Sequence, residues 1–430
     1  MNDHVLMSAD LHTRAATLDA ADRLAPLRAQ FAIPPHIDGK PCIYLCGHSL
    51  GLAPLAAREA VIQELDDWNQ LAVLGHHVAK HPWIDYAELL RPSLARLVGA
   101  QTNEVVAMNS LTVNLHLLMA SFYRPNGKRR CIVVEQGTFS SDRHAVVSQI
   151  HWHGRNADDV LIELAPGTGS DLIDESQLEQ LLAQRGAEIA MVLWPGVQYR
   201  TGQCFDLARI ARASEAAGAI CGFDLAHSIG NVPLQLHEAG ADFAAWCSYK
   251  YLNAGPGAIG GAFVHERHRR ADLPGLAGWW GHDPVSRFRM DPGFAPAEGA
   301  AAWQVSNPPV LSAAPLLASL PLFESAGLAT LRAKSVQMTE LLLAEIDQRS
   351  PQLQCLTPRD PARRGSQLSL RVLAGREAGR RVFEDLGASG IIADWREPDI
   401  IRIAPVPLYN QFAELAVFCD VLEAALRLHA

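Results

Sequence analysis

None of the eight cysteines (Cys42, Cys46, Cys131, Cys204, Cys221, Cys247, Cys355 and Cys419) forms a Cys-x-x-Cys pair. That spacing is what zinc sites and redox motifs use, so neither is expected. Several of these cysteines lie in apolar, strand-like runs, the setting of buried reduced thiols in a reducing compartment. His-Glu-x-x-His is also absent, and the clusters His76, His77, His81 and His151, His153 lack ligand spacing. No metal is expected. The opening Met1-Asn2-Asp3-His4 has no basic segment leading into an apolar one, so no secretion signal is expected. No apolar run is long enough to span a bilayer; the most apolar one, Leu111 to Tyr123, contains Asn114 and His116. Long runs of one charge are missing too. With 37 basic and 46 acidic side chains the net charge is −9, which argues against nucleic acid and membrane surfaces as partners. The short run Lys128-Arg129-Arg130 reads as a solvated turn before a strand. There is no internal repeat and no low-complexity tract. What remains is a cytoplasmic globular protein that acts on a small molecule.

The length of 430 residues suits one large domain and a smaller one, and 49% apolar residues are enough for a large core. We divide the chain into an N-terminal arm (1–50), a large domain (51–310) and a connecting helix with a C-terminal domain (311–430). A helical pattern runs from Pro54 to Leu74, with Gly75 as its expected cap. Between 105 and 265, short apolar runs alternate with helical patterns. Expected strands are Cys131–Glu135, Val160–Leu164, Ile189–Trp194, Ala219–Asp224, Phe243–Cys247 and Ala258–Val264. One helix between them starts at Asp206 and stops at Gly218. Strands buried on both faces with helical crossovers make a mostly parallel α/β sheet. Ligands of such sheets bind beyond the carboxyl ends of the strands. One long helical pattern, Leu311 to Arg349, leads into an α+β domain with strands near 367–372 and 400–404 and a last helix from Asn410.

Two residues stand at that ligand-binding edge. Asp224 closes an apolar strand, and Lys250 follows the next strand after one crossover. An amine and a carboxylate placed this way are what pyridoxal 5′-phosphate (PLP) requires: the lysine binds the cofactor's aldehyde and the aspartate keeps the pyridine nitrogen protonated. The plainer alternative is a helix-capping aspartate and a strand-end lysine; the shared edge favours the cofactor. Asn109-Ser110-Leu111-Thr112-Val113-Asn114 opens an apolar helix. Ser110 or Thr112 could cap it while its free N–H groups bind a phosphate; an ordinary capped helix fits this segment equally well. Gly255-Pro-Gly257-Ala-Ile-Gly260 matches the dinucleotide fingerprint in letters only. It precedes a strand instead of following one, so it reads as a turn after Lys250.

At these positions the chain resembles the kynureninase family, within the aminotransferase class V group of PLP enzymes. The matching stretches are Tyr44 to Leu52, Asn109 to Met119, Thr201-Gly-Gln203, Phe223 to Val232, Cys247 to Gly255, Ser306-Asn-Pro-Pro309 and Arg402 to Asn410. The most specific are Trp246-Cys-Ser-Tyr-Lys-Tyr-Leu-Asn-Ala-Gly255 and Arg402-Ile-Ala-Pro-Val-Pro-Leu-Tyr-Asn410. The resemblance implies a fold-type-I PLP enzyme, a homodimer, that hydrolyses L-kynurenine or 3-hydroxy-L-kynurenine in tryptophan degradation or NAD biosynthesis. It implies covalent attachment of PLP to Lys250, pairing of Asp224 with the pyridine nitrogen, stacking of Phe139 on the ring, and Asp142 and His227 close by. Leu111, Thr112 and Tyr249 would hold the phosphate, with Ser140 and Ser141 also at the cofactor. Trp279 and Asn307 would come from a partner subunit, Arg402 would take the substrate carboxylate, and Ser49, His76 and Asn307 would line the aryl pocket. Tyr249 and Lys250 are candidates for the final protonation. The chain departs from the family at His48 (usually asparagine), Ser140 (usually proline) and Pro195 (serine in some members). A cysteine desulfurase on the same fold would need a mobile cysteine, for which Cys355 is the loop candidate. A non-catalytic protein of this fold would be favoured if Lys250 or Asp224 were missing.

Overall fold

The central sheet is built from β1 (Val105–Ala107), β2 (Cys131–Glu135), β3 (Leu161–Leu164), β4 (Ile189–Pro195), β5 (Ile220–Asp224), β6 (Phe243–Trp246) and β7 (Gly261–Val264). The structure, a computed structural model, describes the backbone of residues 2–430 and the side chains of residues 10–430 other than Ala271. The strand order is β1-β7-β6-β5-β4-β2-β3. From β6 to β3 every pairing is parallel, while β7 runs antiparallel to both β6 and β1. Strands β2, β4 and β6 are buried along their whole length. Helices cover both faces, so these runs are continuously apolar instead of alternating. The edge strand β3 is half-exposed and carries Glu163 outward.

The helices that matter for the site are α1 (Asn2–Ala21), α2 (Leu55–Leu71), α3 (Leu111–Phe122), α4 (Ser140–Trp152), α5 (Leu207–Ala216), α6 (Val310–Ala326), α7 (Leu328–Arg349), α8 (Arg376–Ala388) and α9 (Phe412–His429). The Asp206 carboxylate caps α5 by accepting from the Arg209 N–H at 3.0 Å, and the chain turns at Gly218 with φ +69°. The smaller sheet consists of β8 (Leu353–Cys355), β9 (Leu368–Val372), β10 (Asp394–Arg396) and β11 (Ile400–Ile403), in antiparallel order β8-β9-β11-β10. Its core holds Leu368, Ile401, Ile403, Phe412 and Phe418. Leu11 and Ala15 of α1 join that core, and Asp19 accepts from the N–H groups of Phe412 and Ala413 at the start of α9. The expected N-terminal arm is thus packed onto the smaller sheet's body.

Three expectations are corrected. The helix after Pro54 ends at Leu71, because Ala72 takes φ 48°. Gly75 is not its cap: it sits in a further helical turn with φ −56°. A Cβ there would lie 2.4 Å from the Trp83 indole, so close approach is what requires the glycine. The long pattern from Leu311 to Arg349 is two helices, α6 and α7, bent by 80° at Gly327, whose φ is +74°. Strand β7 starts at Gly261, since the N–H groups of Ile259 and Gly260 bond to Ser312 and Asn109 outside the sheet. Strand β1 lies outside the expected set; three apolar residues are too few to show a period. Among the described residues no single helix is long and apolar enough to cross a membrane.

Gly222 of β5 faces Phe243 of β6, and a Cβ at Gly222 would come within 2.1 Å of that buried ring. Gly222→Ala should destabilise the protein by about 1–3 kcal/mol through overpacking, seen as a lower urea midpoint with an unchanged slope; an unshifted midpoint would show that the two strands can yield.

Candidate active site

The carboxyl ends of β2, β4 and β5 open into a cavity of about 200 Å³. Glu135 ends β2, Pro195 ends β4 and Asp224 ends β5, and all three line it. Lys250 and Tyr249 enter from the turn after β6, as their spacing implies. The loop 46–52 braces that turn: the Gly51 N–H donates to the Tyr249 carbonyl at 2.8 Å, and a Cβ on Gly51 would meet the Lys250 carbonyl at 2.3 Å. Leu111, Thr112, Phe139, Ser141, Asp142 and His227 complete the expected lining.

One wall offers unpaired helix N–H groups of the kind that bind a phosphate. The first intrahelical bond of α3 runs from the Asn114 N–H to the Ser110 carbonyl. This leaves the N–H groups of Leu111, Thr112 and Val113 without helical partners at the cavity mouth. Ser110 holds the N-cap position without capping, and the Thr112 hydroxyl is 2.8 Å from that of Ser141. Another wall is acidic. Asp142, buried on α4, lies beside Asp224, and its carboxyl is held far above the usual range by burial and by Asp224. Burial likewise pushes Glu135 up to about 8. Opposite them the Lys250 ammonium donates to Nε2 of His227 at 3.1 Å. His227 stays neutral, because burial and then Lys250 and Arg402 push its pKa well below the normal value. Burial raises the Tyr249 phenol, which keeps its proton. The Lys250 ammonium lies 5.9 Å from the centre of the Phe139 ring, which faces the cavity.

Arg402, on β11, does not line the cavity itself; it stands behind Tyr199, which does. Its neighbours Ile401 and Ile403 point into the small core, while Arg402 is 1% exposed on the other face. Its Nε and Nη2 donate to Asp394 Oδ2 at 2.7 and 2.6 Å, and Nη1 donates to the Tyr199 carbonyl at 2.7 Å. Arg402 is therefore no surface salt bridge. It ties the smaller sheet to the large one and is fixed in position.

Other expected residues lie elsewhere. Ser140 is exposed in the first turn of α4 and does not line the cavity. Trp279 is 49% exposed, with its indole N–H on the Arg287 carbonyl. His76 and Asn307 line a separate groove of about 540 Å³ with Trp68, Trp83 and Trp280. Ser49 is half-buried in the loop that braces the lysine turn. Glu135 and Tyr199 are among five lining residues with no role assigned from the sequence, the others being Thr138, Pro195 and Val197. Glu135 ends an apolar strand just as Asp224 does, so the signal was there. Tyr199 sits in an irregular loop and gives none.

Do these residues fit PLP? Asp142 Oδ1, Glu135 Oε2 and His227 Nδ1 are buried and unpartnered, around a cavity with a lysine, free helix N–H groups and an aromatic face. The fit is good. Comparison with known proteins agrees. A kynureninase from Xanthomonas euvesicatoria pv. vesicatoria is 57% identical over 96% of this chain and 99% of its own length. The chain belongs to the kynureninase family. A second kynureninase, from Xanthomonas axonopodis pv. citri, is 57% identical over 95% of the chain and 97% of its own. The family model for the kynureninase C-terminal domain matches residues 331–422. The fold is that of a cystine C–S lyase variant with glycine covalently linked to its PLP cofactor, at 20% identity and TM-score 0.76 over 89% of this chain and 96% of that one. An Escherichia coli cysteine desulfurase also has TM-score 0.76 and 20% identity, over 95% and 99%. PLP is the cofactor of this kynureninase-family chain.

The desulfurase alternative fails on thiol chemistry. Cys355 ends strand β8 and is not in a mobile loop. Burial raises the pKa of all eight thiols, whereas the thiolate is the nucleophile.

Thr112→Val keeps the shape of α3 and removes one hydroxyl from the phosphate wall. The PLP dissociation constant should rise about ten- to a hundredfold, the worth of one hydrogen bond to a charged group, while the melting temperature of the cofactor-free protein stays unchanged. An unaltered constant in a spectroscopic titration would take Thr112 out of that wall.

Proposed function

We propose that the protein cleaves the Cβ–Cγ bond of L-kynurenine with water, releasing anthranilate and L-alanine, and that it accepts the 3-hydroxy substrate as well. The reading rests on Asp224 and the Lys250–His227 pair lining one cavity, with Arg402 fixed on the carbonyl of Tyr199, which lines it too. When bound there, PLP supplies an electron sink for charge released at the substrate's α-carbon. Leu111, Thr112 and Ser141 would hold its phosphate, Phe139 would cover its ring, and Asp224, backed by Asp142, would hold the proton on the ring nitrogen.

Lys250 carries the cofactor between turnovers. Its Nζ is the base that would take the substrate's α-proton. His227 stays neutral, so it orients this amine through Nε2 without competing for the charge. Arg402 grips the α-carboxylate with two parallel N–H donors and thereby fixes which bond at the α-carbon faces Lys250. Water adds to the γ-carbonyl and the carbon–carbon bond breaks. Tyr249 and Lys250 return a proton to the alanine fragment; a phenol whose pKa burial has raised still has its proton to give.

We infer that the working unit is a homodimer in the cytoplasm, with residues 51–310 as the cofactor-binding unit and 311–430 carrying Arg402. The support is the exposed apolar surface along Trp68, Val73, Leu74, Val78, Trp279 and Met290, each 49–75% exposed, together with the groove that holds His76 and Asn307 away from the chain's own cavity. A second copy would cover this surface and bring Trp279 to the cofactor, and His76 and Asn307 to the aryl ring next to Ser49.

Arg402→Lys should weaken kynurenine binding by about 2–4 kcal/mol, since lysine cannot make the paired contact; a change under threefold in KM would return Arg402 to the sole role of tying the two sheets. Co-expressed Lys250→Ala and Asn307→Ala chains test the shared site. If Asn307 acts across the dimer, mixed dimers regain one intact site of two and the 1:1 mixture recovers about a quarter of parental activity; no recovery would place Asn307 in its own chain's site.

A further inference from the structure

The acidic wall poses a charge problem. Glu135, Asp142 and Asp224 line one cavity, and Lys250 is the only cation among its lining residues, because His227 is neutral. Three carboxylates packed against one another in a dry site cannot all keep a negative charge. The site must also accept the phosphate of PLP. Local bonding shows which group carries the charge. The Asp224 Oδ1 accepts from the Ala226 N–H at 2.8 Å, and on the reading above Asp224 also faces the ring nitrogen. Asp142 lies beside Asp224, and burial together with that neighbour holds its carboxyl far above the usual range, so Asp142 keeps its proton. Glu135 is 1% exposed, its Oε2 has no partner, and no lysine, arginine or histidine forms an ion pair with it among the described residues. Its other neighbours are the Thr138 hydroxyl and the Asp142 and Asp224 carboxyls.

We propose that Glu135 is a positioning residue that holds a proton at the back of the cofactor site, so that the three carboxyl groups together carry a single negative charge, borne by Asp224. The inference rests on the reading that Asp224 faces the cofactor's ring nitrogen. A neutral Glu135 lets Asp142 and Asp224 share one cavity wall without a further charge beside them, and it spares the phosphate a second buried negative charge. The direction of the Glu135 shift, up to about 8, agrees. It also sets the pH response: as pH rises through that value Glu135 ionises and adds a negative charge beside Asp142 and Asp224.

The test is the affinity of the protein for PLP, read by absorbance, in the parent, Glu135→Gln and Glu135→Leu between about pH 6 and pH 9.5. Glu135→Gln replaces a neutral acid by a neutral amide and should bind within threefold of the parent at pH 7. Above about pH 8 the parent should weaken relative to Glu135→Gln by tenfold or more, because only the parent gains a charge. Glu135→Leu, which has no polar group, should bind at least tenfold more weakly at pH 7. If Glu135 is ionised at pH 7, Glu135→Gln will differ from the parent at every pH and the parent–Gln ratio will show no break near pH 8; that result overturns the proposal. Should the Leu variant fail to fold, the Gln comparison decides alone. Asp224→Asn is the control for the underlying reading: an unchanged cofactor spectrum there would remove Asp224 from the ring nitrogen, whatever Glu135 does.

Discussion

The hydrogen-bond ladder between β5 and β6 sets Gly222 against Phe243, Phe223 against Ala244 and Asp224 against Ala245, so the two strands finish near one level of the sheet. Asp224 is the last residue of one strand, and the chain leaving the other needs only a short turn to present Tyr249 and Lys250 over the same edge. Glu135 on β2 and Pro195 on β4 end at that edge as well. A register slip of one residue would turn each of these side chains to the opposite face of the sheet. The close contact of Gly222 with the Phe243 ring resists such a slip, and the catalytic geometry is therefore a product of core packing.

Charge is then sorted across the cavity. Carboxyls gather on the β2 and β5 side, while Lys250, Arg402 and Arg396 bear on His227 and His48 from the other. Both histidines are buried and lie among cations, which keeps them neutral. The arrangement suits a substrate that brings a carboxylate to one end and an amine to the middle. It also explains why Arg402 can remain charged although it is 1% exposed: Asp394 supplies the opposite charge and the Tyr199 carbonyl a further acceptor.

Much of this was legible in the residues. Apolar runs closed by Asp224 and followed by Lys250 announced a parallel sheet and its ligand edge, and the isoleucines flanking Arg402 fixed which way that arginine faces. What stayed hidden depended on contacts between distant parts of the chain. Gly75 looks like a helix cap because glycine usually serves there, yet Trp83 decides its identity. The pattern from Leu311 to Arg349 keeps a helical period through Gly327, and only the left-handed φ of that residue shows the bend. Tyr199 reaches the cavity from an irregular loop whose shape comes from Gln198 and Gln203, for which sequence patterning has no period to read. Glu135 differs: it was as legible as Asp224, but an acid at a strand end takes on meaning only once its neighbours are known to be acids too.

The last turn of the first helix, α1, carries Asp19, whose carboxylate caps α9, a helix that begins 393 residues later. In the order of synthesis this reverses the usual relation between a helix and its cap. The capping group and the apolar face of α1, with Leu11 and Ala15, leave the ribosome long before anything exists for them to cover. While β1 to β7 assemble, that face stays available to chaperones or to neighbouring nascent chains. The body built on the smaller sheet, and with it the seat of Arg402, can close only when the late helix arrives, so assembly of the half that carries this arginine is timed by the last part of the chain to be made.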